Sequence, residues 1–190
     1  MILLLSIVVA FAFTNSDSAI QNTSVLITPE SSLIIKGTSN VNTFSCLYNI
    51  QKIKNPIPII YHMEDGKMKF KKTVLVLNNT CFDCGGKGIN TDFKKILKSE
   101  THPQIFLFLK EITPLENSTA VEANIIIEIA GVPNCYKIPV EITQDNDMLI
   151  TGDLKVSLGD YQLKAPKKLF GLITVNDIIE ISFKLKVKEN

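Results

Sequence analysis

The clearest pattern lies near the C-terminus. Ile179, Ile181, Phe183, Leu185 and Val187 alternate with Glu180, Ser182, Lys184 and Lys186, the period-two spacing of a strand with one apolar and one wet face. Val121, Ala123, Ile125, Ile127 and Ile129, opposed by Glu122, Asn124 and Glu128, repeat it. Residues 105–109 are apolar on both sides, which predicts a strand that is buried or covered by another element. Similar runs predict strands over 32–36, 41–50, 57–62, 67–77, 136–143 and 149–158. Turn chemistry separates them. Glu64-Asp65-Gly66 and Gly131-Val132-Pro133-Asn134 mark hairpins, and Gly37 inside a strand run predicts a bulge.

One segment reads as helix. Asn90 or Thr91 caps it, Asp92 lies in the first turn, and Phe93, Ile96 and Leu97 form an apolar stripe. It ends before His102-Pro103, because proline disfavours helix at the residue ahead of it. So short a helix needs tertiary packing, and its place is against the mouth or an edge of the sheet. Eight or nine antiparallel strands must close or stack, since one open sheet leaves its edges and apolar faces bare. The fold class is all-β.

Length and charge narrow the picture. The chain has 190 residues, 45% hydrophobic, and a net charge of +1. Residues 2–13 are apolar apart from Ser6 and are followed by small polar residues. That is too short to span a bilayer but matches the apolar core of a secretory leader. The expected organisation is a leader over 1–18 and one domain over 19–190, in an exported chain that is periplasmic or secreted. A buried N-terminal strand is the alternative. Every basic side chain is Lys, so no guanidinium fork is present for phosphate or guanine. Nucleic acid is not an expected partner. Lys164, Lys167 and Lys168 lie next to Leu169 and Phe170, a basic and apolar loop that either docks at an anionic membrane or faces water.

Cys46, Cys81, Cys84 and Cys135 are an even set, which in an oxidising compartment predicts up to two disulfides. Cys81-x-x-Cys84 has redox spacing. However, Cys84 is followed by Gly85-Gly86-Lys87-Gly88, which does not read as the helix start that activates such a thiol. His62 and His102 have no ligand-like spacing to the cysteines, so no metal site is expected. The chain contains no nucleophile elbow, zinc-protease motif, P-loop or dinucleotide fingerprint. No acid-base constellation stands out, and catalysis is not expected. Asn22, Asn78 and Asn117 head glycosylation sequons.

Several segments, taken in order, resemble the YceI-like (polyisoprenoid-binding) family. They are Gly37-Thr38-Ser39-Asn40-Val41-Asn42-Thr43-Phe44, Phe82-Asp83-Cys84-Gly85, Asn90-x-Asp92-Phe93 and His102-Pro103-x-Ile105-x-Leu107. The longest match joins Asp160 to Pro166, Leu169-Phe170-Gly171 and Asp177-x-Ile179-x-Ile181-x-Phe183. The resemblance runs from about Ser32 to Val187 and is similar in flavour to members from Bacteroidetes-like bacteria. It departs at Asn42, where relatives often carry His, and at Gly86 and Gly88, where larger residues are usual.

The resemblance implies a lipocalin-like antiparallel β-barrel of about eight strands with one short helix. It also implies a tunnel that holds a long-chain isoprenoid, a quinone or another amphiphilic lipid, in a carrier or reservoir and not an enzyme. Candidate lining residues are Phe44, Ile105, Leu107, Leu109, Ile125, Ile127, Ile181 and Phe183; any of them could equally fill a dry core. Cys46 and Cys84 fall in resembling segments, which implies a Cys46–Cys84 disulfide and leaves Cys81–Cys135 as the second pair. Expected partners are a long-chain lipid and transient membrane contact, and a homodimer stays open. The alternatives are a ligandless structural or protein-interaction barrel and a thiol redox protein using Cys81 and Cys84.

Overall fold

The structure, a computed structural model, describes residues 19–116, 118, 120–164, 167–168 and 173–190, with backbone alone at 167, 168 and 173. The first wall strands are broken in two. β1 (Gln21–Ile27) and β2 (Ser32–Thr38) follow one another along one edge of the C-terminal strand. β3 (Thr43–Tyr48) and β4 (Ile57–Glu64) return beside them, interrupted by a turn of 3-10 helix at Ile50–Lys52. β5 (Lys67–Phe70) and β6 (Val74–Asn78) form the third broken pair. A short β7 (Phe82–Asp83) and α1 (Lys87–Ile96) come next. The long strands β8 (Gln104–Pro114), β9 (Ala120–Ile129), β10 (Val132–Gln144) and β11 (Met148–Ser157) complete most of the wall. A small hairpin of β12 (Lys167–Lys168) and β13 (Ile173–Thr174) precedes β14 (Ile178–Glu189).

Eight of these strands close a ring in the order β1-β4-β5-β8-β9-β10-β11-β14, sealed where Ile27 stands opposite Val187. Closure removes the edges that an open sheet would expose. The break between β1 and β2 is bridged at Lys186. Its N–H donates to the Ser31 hydroxyl, and that hydroxyl donates to the Lys186 carbonyl. Asn55 similarly completes β1, accepting from the Ile27 N–H and donating to the Ile27 carbonyl. Both devices satisfy backbone groups that the broken ladder leaves open.

Local departures from the predicted elements have local causes. The strand predicted over 67–77 is cut because Lys72 takes a left-handed conformation (φ 60°), opposite a bulge between Leu109 and Glu111 on β8. The second hairpin turns at Ala130-Gly131, both with positive φ, so Val132, Pro133 and Asn134 already belong to β10. The Asp65-Gly66 turn forms as the sequence implies, with Glu64 paired to Lys67. Gly37 is not a bulge. It pairs in regular register with Phe44, and a Cβ there would lie 2.2 Å from the Phe44 ring. Helix α1 starts at Lys87, not at Asn90, because the Asn90 side chain braces the preceding loop. It accepts from the Cys84 N–H and donates to the Asp83 carboxylate.

The two ends of the barrel differ. At one end β3 and β6 splay apart, and β7 and α1 fill the gap. Phe82 meets Tyr48 edge to face (ring centroids 4.9 Å) and Phe93 at a tilt (5.1 Å), and Leu97 is buried nearby. The segment between β11 and β14 also folds over this end, burying Leu158, Tyr161 and Leu163. The other end carries the hairpin tips between β4 and β5, β8 and β9, and β10 and β11.

Candidate functional site

Strand alternation sets which side chains reach the interior. Across the wall, Leu75 stands opposite Leu107, Leu107 opposite Ile127, and Leu109 opposite Ile125. Ile181 stands between Ile35 and Leu154, and Phe183 between Leu33 and Gly152. The eight candidate lining residues therefore share the inner face and pack in one contiguous apolar cluster with its satellite. They differ in depth. Ile105 and Ile127 (2% exposed) belong to the packed floor at the helix end with Ile129, Val156 and Tyr161. Phe44, Leu107, Leu109, Ile125, Ile181 and Phe183 are only half-buried, as are Leu75, Ile150, Leu154 and Leu185 on the same face. Partly exposed inward apolar side chains are what a hollow lumen would require.

Two glycines contribute to this. Gly152 lies under the Phe183 ring, where an added Cβ would meet Phe183 Cζ at 2.6 Å, as Gly37 lies under Phe44. Both rings lie against the wall over a missing side chain, which keeps them off the barrel axis. A glycine within a strand commonly marks such a close approach. The sequence marked Gly37 only as an expected bulge and gave Gly152 no role; the signal for the close approach was a Gly interrupting each apolar run.

The open end is rimmed by exposed apolar tips: Met63 (44% exposed), Met148 (36%) and Leu115 (37%), and Ile20, just before β1, is exposed as well. Ion pairs stand among them, Glu64 with Lys69 at 3.0 Å, Glu111 with Lys67 at 3.2 Å, and Asp147 with Lys186 at 3.2 Å. Lys69 and Lys67 hold the Glu64 and Glu111 carboxyls below their ordinary range. The outer face of β8 is apolar, and among the described residues no further element covers it. Phe106 and Phe108 stack at 6.1 Å, the Lys110 ammonium sits over Phe108, and Val74, Val76 and Ile126 flank them.

Cys46 on β3 and Cys84, the residue that follows β7, form a disulfide next to the Leu47–Asp83 pair. The expected Cys81–Cys135 pair does not form, and both thiols are free. Cys135 stands on the outer face of β10 opposite Ile126, with β9 and β8 between it and the β6 end that leads to Cys81. Three strand spacings of about 4.8 Å exceed the ~7 Å Cα reach of a disulfide. The redox reading fails for a related reason. Residues 82–83 are extended, so Cys81 and Cys84 stand about 10 Å apart along the chain. Cys84 does lie just ahead of a helix, contrary to expectation, but its sulfur is already bonded to Cys46.

No catalytic pairing emerges from the histidines. His62 Nε2 faces Glu64 at 3.3 Å, while the His102 ring packs over Gly131. Among the described residues no three His, Cys, Asp or Glu side chains converge, and no helix is long and apolar enough to cross a membrane. Lys164 is exposed beyond Leu163. Of its companions in the basic loop, Leu169 and Phe170 lie outside the described residues, and Lys167 and Lys168 are described by backbone alone. The expected leader over 1–18 and the sequon residue Asn117 also lie outside them.

No family model and no curated protein matches the chain. Solved structures do. BcnA from Burkholderia cenocepacia superposes with a TM-score of 0.68 at 15% identity, over 86% of this chain and 99% of that one. A polyisoprenoid binding domain from Saccharophagus degradans, implicated in plant cell wall breakdown, gives 0.57 at 12% identity over 91% and 99%. The YCEI protein of Campylobacter jejuni gives 0.53 at 13% identity over 70% and 80%. At these identities the likeness is one of fold, and the fold is the YceI-like barrel that the sequence motifs imply.

Proposed function

We propose that this YceI-like barrel binds one long-chain isoprenoid or other amphiphilic lipid in its lumen, as an exported, non-enzymatic carrier or reservoir. The observation that carries the reading is the band of half-buried apolar side chains on the inner face, with Phe44 and Phe183 laid flat over Gly37 and Gly152. Burial of each methylene is worth about 0.8 kcal/mol relative to water, so even a short tail has a large gross driving force. The bilayer offers the same gain. A carrier therefore only has to match the membrane, and selects by tunnel shape and a few polar groups. A solved structure of the same fold is a polyisoprenoid binding domain. The Cys46–Cys84 bond and the apolar leader agree with a periplasmic or secreted protein.

Gly152→Val tests the lumen. The new side chain displaces the Phe183 ring from the wall into the interior, so binding of a fluorescent long-chain probe is expected to weaken about tenfold or more in a folded protein. Unchanged binding would place the ligand elsewhere or nowhere.

Entry is proposed at the end away from α1, where Met63 and Met148 continue the inward register of their strands. The double variant Met63→Glu/Met148→Glu is expected to slow lipid uptake from vesicles about tenfold, since each methionine contributes roughly 1.5–3 kcal/mol when buried. Lys167→Glu/Lys168→Glu, in the basic loop at the helix end, is expected to leave uptake unaltered. The reverse outcome would assign membrane contact to the loop of Lys164, Lys167, Lys168, Leu169 and Phe170.

A further inference from the structure

Strand β8 is apolar on both sides, and its inward residues alone are packed into the core. Outward, Val76 stands opposite Phe106, and Val74 and Ile126 stand on either side of Phe108. All five are half-buried. A sheet face turned to water ordinarily carries polar residues. The outward positions of β14 follow that rule, with Glu180, Ser182, Lys184 and Lys186. An apolar exterior confined to one stretch of wall marks a surface that meets something less polar than water.

The charges beside this stretch say what that is. Lys71 and Lys72 lead into β6, and Lys110 follows Phe108 on β8, its ammonium 5.8 Å from the ring centroid. All three are exposed, and none makes an ion pair among the described residues. Because β8 runs toward its tip with β9, these cations lie between the phenylalanines and the open mouth. Farther along, Lys67 and Lys69 are neutralised by Glu111 and Glu64. At the other end Glu128, opposite Phe106, makes no ion pair among the described residues. Three unpaired cations thus stand against one unpaired carboxylate. A second copy on this face would set the same positive excess against itself, whereas an anionic lipid surface accepts all three.

We infer that the outer wall of β6, β8 and β9 is a docking surface for an anionic lipid bilayer. Phe106 and Phe108 lie at the boundary between headgroups and acyl chains, and Lys71, Lys72 and Lys110 lie among the phosphates. This goes beyond the lumen reading and holds whether or not a chain occupies the lumen. It also brings the mouth to the same membrane, since Leu115 follows β8, and Met63 lies on β4, one short strand away.

Co-sedimentation of the mature protein with vesicles tests the inference. Binding to phosphatidylcholine vesicles with about 30% phosphatidylglycerol is expected to be at least about tenfold tighter than to phosphatidylcholine alone. Raising the salt from about 0.1 M to about 1 M shortens the screening length from about 10 Å to about 3 Å and should remove that difference. Lys71→Gln/Lys72→Gln/Lys110→Gln is expected to weaken binding to the anionic vesicles about a hundredfold, roughly fivefold for each cation. The chain contains no tryptophan, so Phe108→Trp places a single reporter in the patch. Its emission is expected to shift to the blue with anionic vesicles and to be quenched by brominated acyl chains. Lys36→Trp, at an exposed position of β2 on the far side of the ring, is expected to show neither effect. Equal binding to neutral and anionic vesicles, undiminished binding of the triple variant, or a silent reporter at position 108 would overturn the assignment. Loss of binding in Lys167→Glu/Lys168→Glu with the triple variant unaffected would move the contact to the basic loop and overturn it. A dimer in vesicle-free solution that shifts the reporter at 108 would give the face to a second copy, and would overturn it as well.

Discussion

Replacing Cys46 and Cys84 together with alanine is expected to lower stability by about 4 kcal/mol. The bond joins residues separated by 38 positions, and constraining a loop of that length in the unfolded chain is worth about this much on the loop-entropy scale. Its position makes the loss local as well as global. β7 pairs with β3 through only two opposed positions, Leu47 with Asp83 and Tyr48 with Phe82, and it leads directly into α1. Without the covalent link, the plug between the splayed strands is held by Phe82, Phe93 and Leu97 and by the Asn90 bridge to Asp83 and Cys84. Urea unfolding of the double variant, and of the unsubstituted protein with and without reductant, measures the global term. Amide exchange should show α1 opening at lower free energy than β8 to β11. Equal protection of α1 in the reduced and oxidised forms would contradict the role given to the bond.

Tyr161→Ala is expected to cost about 3–5 kcal/mol, the range for removing a large aromatic side chain from a core. Tyr161 is 0% exposed, and it closes the floor from the segment that crosses between β11 and β14. Tyr161→Phe should cost only about 1 kcal/mol, because it removes the hydrogen bond to Ile127 and leaves the ring in place. The ratio of the two losses, from denaturant midpoints at constant slope, separates packing from hydrogen bonding. Equal costs would mean that the hydroxyl and not the ring holds the floor.

How much of this was legible follows from the kind of information each element uses. β9 and β14 could be read residue by residue, because one apolar face against one polar face is a sequence property. The breaks could not. Thr28 to Ser31 interrupt one long strand because Ser31 happens to meet Lys186 across 155 positions, and Lys72 turns left-handed without the residue type that announces it. The turn after β9 was placed too late because Pro133 looks like turn chemistry, yet it sits on the strand opposite Glu128. Asn90 looks like a cap and instead ties the loop before the helix, a choice made by the position of Asp83 and the Cys84 N–H.

The site was legible in direction and not in depth. Alternation grouped Ile125, Ile181 and Phe183 with their strand neighbours, and the resemblance added Phe44, Leu107 and Leu109, but neither could tell that Ile105 and Ile127 belong to a packed floor. That distinction depends on α1 and Tyr161 closing one end. The packing of Phe44 over Gly37, which the sequence offered only as a bulge, and of Phe183 over Gly152 escapes a reading that scores side chains only as apolar or polar. The Cys46–Cys84 pair came through resemblance; the second pair was an inference by remainder, and the wall geometry forbids it.

Native mass spectrometry of the protein purified from its producing cells without detergent, followed by solvent extraction and identification of what is released, addresses the lumen most directly. One long-chain lipid per barrel, lost in Gly152→Val, is the predicted result. A bare polypeptide mass that takes up no chain on incubation with lipid vesicles would contradict the account and leave a barrel packed with its own side chains.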